Sequence, residues 1–149
     1  MKQATRAALA ALMLVATTGA AQARDDVLTF PIQAAIDSAE PDIRAKVDGS
    51  TVKFYFAGQK HPKAQRTMGT FTSNKKTNFA NKSDQEGCNR AFLSALIALH
   101  DRALREGGNA VVDIHSYYKK QAFKSATEFQ CGAGAILGGT ALRGTVARF

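Results

Sequence analysis

The sequence predicts an α+β fold: an antiparallel or mixed β-sheet packed on one long α-helix, in the order β-β-α-β-β, with short N-terminal helical segments. Three observations carry this expectation. Asp84 to Glu106 places apolar side chains at helical spacing behind a Ser83-Asp84-Gln85-Glu86 start. The stretches on either side alternate apolar and polar residues, as half-buried strands do. Asp48-Gly49 and Gly107-Gly108 punctuate the changes of pattern.

The first element is not part of that fold. Residues 1–23 place Lys2 and Arg6 ahead of an apolar run from Ala7 to Ala16 and end in Ala21-Gln22-Ala23, the layout of a secretory signal peptide. The run is too short to span a bilayer. Residues 24–149 are then expected to form a single periplasmic α+β domain, periplasmic or secreted. No cysteine follows the apolar run closely, so no lipid anchor is expected. No later segment approaches spanning length, so no membrane span is expected either.

FPIQAAIDSA reads as a brief helix with Pro31 near its first turn and Ile32, Ala35, Ile36 and Ala39 on one face. Pro41 interrupts it, and DIRAKVDGS makes a second turn ending at Asp48-Gly49. Ser50 to Gly58 is a strand with Val52, Phe54 and Phe56 on its apolar face. Lys63 to Ser73 is a second strand, expected to form an antiparallel hairpin with the first. Asn74 to Lys82 is polar, lysine-rich and expected to be exposed.

The long helix carries Phe92, Leu93, Leu96, Ile97, Leu99, Ala103 and Leu104 as its apolar stripe, and Gly107-Gly108 stops it. Asn109 to Tyr118 is the next strand. Strict alternation puts Ala110, Val112 and Ile114 under the helix, and Val111, Asp113, His115 and Tyr117 on a polar, partly solvated face. Thr127 to Leu137 and Thr140 to Val146 are the last strand segments. Their glycines imply bulges or close approach of a neighbouring backbone.

The formal net charge is +8, and loss of Lys2 and Arg6 lowers it to +6. Lys60, Lys63 and Arg66 cluster, as do Lys75, Lys76 and Lys82, and Lys119, Lys120 and Lys124. Aromatics near them are sparse, with no stacking platform for single strands, so nucleic acid is not expected as a partner. For an exported protein, envelope proteins or anionic envelope polymers are the nearer partners.

The two cysteines, Cys88 at the helix start and Cys131 in a late strand, are expected to pair, as an even count in an exported chain usually does. A reactive thiol at a helix N-terminus is the sharper alternative, and a metal ligand another. There is no CxxC and no cysteine-histidine pair at metal-site spacing.

CNRAFLSALIALHDRA, EGGNAVVDIHSYY and EFQCGAGAILGGTALRG together resemble the YbjQ-like superfamily. They are nearest the branch that contains the sensor lipoprotein of the Rcs envelope-stress phosphorelay. The resemblance covers the chain from Cys88 onward. Aligned on Gly139 to Leu142 and the helix start, it places Cys88 and Cys131 where that branch has a disulfide pair. This chain departs in two ways: it has no lipidation cysteine and no cysteines for a second disulfide. The resemblance implies an envelope-stress setting and raises heavy-metal binding as an expectation. Similar exported chains also carry an excinuclease ATPase-subunit label. The sequence has neither a GxxxxGK[ST] loop nor a cysteine-pair zinc module to support it.

Asp113 and His115, two apart on one strand, are the candidate metal ligands, with His61 and His100 as thirds if the fold brings them close. His100 falls in the apolar register of the helix. Ser116 points away from His115 by strand geometry, and no catalytic constellation or cofactor site is evident. The expected function is that of a non-enzymatic periplasmic interaction or envelope-stress-related protein. The alternative is a periplasmic metal-binding protein using the Asp113/His115 strand face.

Overall fold

The computed structural model describes residues 23–149. All but the last position of the expected signal peptide lies outside the described residues. Ten elements come in order: β1 (Asp26–Pro31), α1 (Ile32–Asp37), α2 (Pro41–Val47), β2 (Lys53–Phe56), β3 (Arg66–Asn78), α3 (Asp84–Arg105), β4 (Ala110–Ser116), a 3₁₀ turn (Tyr118–Lys120), β5 (Glu128–Ala133) and β6 (Leu137–Arg148). The fold is α+β, with one mixed six-stranded sheet and one long helix.

The helix begins and ends where its residues dictate. Ser83 Oγ accepts from the Glu86 amide at 3.1 Å, which satisfies one orphan donor of the first turn. At the other end Gly107 takes φ +79°. The Gly107 amide then donates to Leu104 O at 3.1 Å and the Gly108 amide to Ala103 O at 2.8 Å, a Schellman closure. Gly108 is needed for a second reason: a Cβ there would lie 2.5 Å from Val146 Cγ1 and 2.8 Å from Ala147 O. Leu104, counted in the apolar stripe, is exposed instead, one position round the helix from buried Ala103.

The sheet runs β1-β5-β6-β4-β2, with β3 along the other edge of β6. β3 pairs antiparallel with β6 from Arg66↔Arg148 to Asn78↔Leu137. β5 and β4 therefore share the opposite edge of β6, β5 at Gly138 and Gly139 and β4 from Leu142 to Ala147. The expected β2–β3 hairpin does not form. β2 pairs parallel with β4, and β3 with β6. Burial accounts for the difference: β2 brings Phe54 and Phe56 to the core. β3, rich in Thr, Lys and Asn, suits an edge. β3 also runs on to Asn78, into the polar, lysine-rich stretch, where Asn74, Lys75, Lys76 and Asn78 are exposed as expected. Asp26–Pro31, to which the sequence reading assigns no strand, is a strand paired with β5.

Strict alternation fails in β4. Asp113 sits at φ +52°, and the register with β6 jumps between Val112 and His115. This bulge puts Val111 and Ile114 together on the helix side, where a Cβ on Gly144 would meet both, at 2.6 and 3.1 Å. Val111 and Ile114 belong to the core cluster under α3, whereas Ala110 and Val112, also buried, lie outside that cluster. His115 keeps its place on the side away from the helix.

The core lies between α3 and the sheet. Phe92 stacks between Phe129 (centroids 4.3 Å apart) and Phe56 (6.2 Å). Phe79 fills a slot between Gly87 of α3 and Gly138 of β6, where added Cβ atoms would fall 2.5 and 2.2 Å from its ring. The Cys88–Cys131 disulfide, with Cα atoms 5.8 Å apart, ties the first turn of α3 to β5.

Candidate interaction surface

The sheet face turned away from α3 carries the side chains singled out for chemistry, and the bulge decides how they meet. Asp113, thrown outward, holds Lys124 Nζ at 2.9 and 3.2 Å. His115 is 8% exposed, so the expectation of a partly solvated histidine is corrected. Its Nδ1 donates to the Asp113 backbone oxygen at 2.7 Å. The Tyr117 ring stands perpendicular to it at 6.3 Å, and Arg143 lies 4.9 Å over the other end of that aromatic pair.

The proposed thirds for a metal are elsewhere. His61 stacks on Phe149 and meets the Tyr55 ring at a tilt. His100 is buried in α3 with Nδ1 donating to Asp101 at 2.9 Å. Among the described residues no three His, Cys, Asp or Glu side chains gather as a metal site requires. Ser116 Oγ accepts from the Gln130 amide at 2.8 Å, so it helps join β4 to β5. Cys88 and Cys131 are both in the disulfide and fully buried, which leaves neither as a thiol or ligand.

A second feature of this face was not legible as a site. Gly132 and Gly139 pair across β5 and β6 and leave the surface low. Tyr118 stands over Gly132, where a Cβ would lie 2.1 Å from its ring. Leu137, Asn74, Lys76, Arg24 and Lys119 complete a cleft of about 400 Å³. Its acidic and basic groups are partly paired. Arg24 holds Asp84 at 2.5 and 3.0 Å and Asp26 at 2.7 Å, and Lys119 holds Asp25. Those bonds keep the Asp25 and Asp84 carboxyls below the usual carboxylate range and raise Lys119 above the usual lysine range. Among the described residues Lys75, Lys76 and Lys82 take part in no ion pair.

Beside the cleft, the β5–β6 hairpin ends in Ile136 and Leu137, 66% and 59% exposed. The glycine run around them was the only sequence signal for this region. A larger cleft of about 650 Å³ lies between α3 and the short helices. Its buried Asn89 donates to Ser38 Oγ at 3.4 Å, and its Oδ1 is sealed from the opening without a partner. Among the described residues no helix is long and apolar enough to cross a membrane.

No family model matches the chain, and no curated protein matches it by sequence. The chemistry of this surface is therefore what bears on function.

Proposed function

We propose that the protein is a non-enzymatic, exported interaction module that docks on anionic partners of the cell envelope through the basic edge of its sheet. The observation that carries this is the placement of Lys75, Lys76 and Lys82 near one end of β3 without acidic partners. Lys60, Lys63 and Arg66 add exposed charge at the other end of that strand. Uncompensated cations grouped at the two ends of this edge strand raise the local concentration of anions and speed their encounter, more so at low salt. The buried disulfide supports an exported setting, since such bonds persist in oxidising compartments. The YbjQ-like resemblance supports an envelope-stress role, in the periplasm or outside the cell.

Lysines on an exposed edge strand also discourage edge-to-edge pairing. Charge reversal separates the two roles. Purified protein and a Lys75→Glu/Lys76→Glu/Lys82→Glu variant are compared for binding to a soluble acidic cell-wall polysaccharide, and for affinity capture from periplasmic extract. We expect salt-sensitive binding that the variant loses while its melting temperature and monomeric state hold. Equal binding by the variant, or binding of no anionic envelope component by the parent protein, overturns the proposal.

A further inference from the structure

We infer that the anionic partner is a phospholipid surface, entered by the β5–β6 hairpin tip; this rests on the docking reading above and names its partner. A soluble polyanion would use the lysines but gain nothing from Ile136 and Leu137. These are the two most exposed large apolar side chains among the described residues, adjacent in sequence at the tip of one hairpin.

The tip is held rather than loose. The Gly134 amide donates to Leu137 O at 3.0 Å, closing the turn, and the Phe79 amide donates to Ile136 O at 2.6 Å, tying the turn to the end of β3. Two apolar side chains are thus presented on fixed backbone, which lowers the entropy lost on insertion. Lys76 stands at the matching height. Leu137 is opposite Asn78, and Lys76 is two residues back along β3. At strand rise that is about 7 Å, within the roughly 5–10 Å over which an inserted apolar surface meets the headgroup boundary.

The charge balance is positive at this end. Arg24 and Lys119 are offset by Asp25, Asp26 and Asp84, so the excess comes from Lys75, Lys76 and Lys82. The glycine-floored cleft lies between the tip and Tyr118 and has Lys76 on its rim, which leaves room for a headgroup phosphate. Tyr118 supplies an aromatic ring with a polar end, the side-chain type enriched at membrane interfaces. Val27, opposite Gly132 in the β1–β5 register, adds a half-exposed apolar side chain to this end of the sheet.

The test is co-sedimentation with vesicles of phosphatidylcholine alone and of phosphatidylcholine with phosphatidylglycerol. We expect binding to the anionic vesicles only. Ile136→Ser/Leu137→Ser should weaken it roughly 10- to 100-fold, by loss of partial burial of two aliphatic side chains. The same variant should keep its binding to the soluble acidic polysaccharide. Charge reversal at the three lysines should weaken vesicle binding roughly 100-fold. Glycerol phosphate at matched phosphate concentration should not compete, because it lacks a surface.

The chain contains no tryptophan, so Leu137→Trp places a single reporter at the tip. Its emission should shift to the blue with anionic vesicles and stay unchanged with neutral ones. Undiminished vesicle binding by the serine variant, or an unshifted tryptophan in the bound state, overturns the lipid inference. Binding of the polysaccharide but not of vesicles overturns the lipid inference and leaves the docking proposal standing; binding of neither sinks both.

Discussion

Val111 and Val112 are neighbours in sequence, both buried but on opposite faces of β4, and replacing each by threonine tests the bulge that follows them. Val111 is fully buried in the core, opposite Val146 in the β4–β6 register. Threonine there loses one methyl group, worth about 0.8 kcal/mol of transfer. It also buries a hydroxyl among apolar neighbours, at about 1–3 kcal/mol if unpartnered. Val111→Thr should therefore cost about 2–4 kcal/mol. Val112 is also buried, but outside the core cluster and opposite Thr145, whose hydroxyl already bonds Thr70 at 2.8 Å. A hydroxyl added there meets polar company, and Val112→Thr should cost under about 1 kcal/mol. Urea unfolding followed by circular dichroism measures both, provided the slope of free energy against denaturant stays constant. Uninterrupted alternation would reverse the order. A Val112→Thr cost equal to or above that of Val111→Thr would refute the face assignment, and with it the placement of His115.

Breaking the Cys88–Cys131 bond, which spans 43 positions, should remove up to about 4 kcal/mol by the chain-entropy account; Cys88→Ala/Cys131→Ala in the same urea assay checks it. Gly108→Ala should destabilise by about 1–3 kcal/mol, because its Cβ would press on Val146 and on the backbone oxygen of Ala147, and a melting temperature equal to that of the parent would contradict this. Zinc titrated into tag-free protein should bind more weakly than micromolar, since Lys124 occupies Asp113 and no third ligand approaches among the described residues. Micromolar binding lost in both Asp113→Ala and His115→Ala would restore the metal-site reading of that face. Acid should loosen the N-terminal segment early. The carboxyls of Asp25 and Asp84 titrate lower in the fold than in the unfolded chain, so their contribution is present above about pH 4 and is lost as pH falls through the folded values. Hydrogen exchange of β1 amides should rise in that window, less steeply in high salt, and Asp84→Asn should flatten the response.

The helix was the most legible element because its signals are local: Ser83 with Glu86 at one end and Gly107 at the other each close hydrogen bonds within a turn. The disulfide was legible from chemistry, two cysteines in a chain read as exported. Strand partners were not, because pairing is a choice among distant segments. Phe54 and Phe56 mark β2 as apolar on one face but do not say that the matching edge is β4, more than 50 positions on, rather than the next strand. β1 was missed because six residues ending in proline, DVLTFP, carry too little alternation to read. The bulge at Asp113 was invisible for a different reason. Counting by twos assumes every residue is extended, and one aspartate at φ +52° shifts the faces of Ile114 and His115 relative to those of Val111 and Val112.

That single residue also shapes what the outer face can do. By taking up the odd position, Asp113 lets Ile114 enter the core while His115 stays on the outer side, bonded to the bulge's own carbonyl. The histidine is thereby drawn into supporting the strand, and Asp113 is left to Lys124. The uncompensated charge lies farther along the sheet, where β3 and the β5–β6 hairpin end together. Lys76, Leu137 and Tyr118 are far apart in sequence and line one cleft only because β6 pairs with β3 on one side and β5 on the other. The lysine-rich stretch was visible in the sequence as charge. The apolar tip beside it was not, and it is the juxtaposition of the two that points to a surface with both phosphate and hydrocarbon to offer.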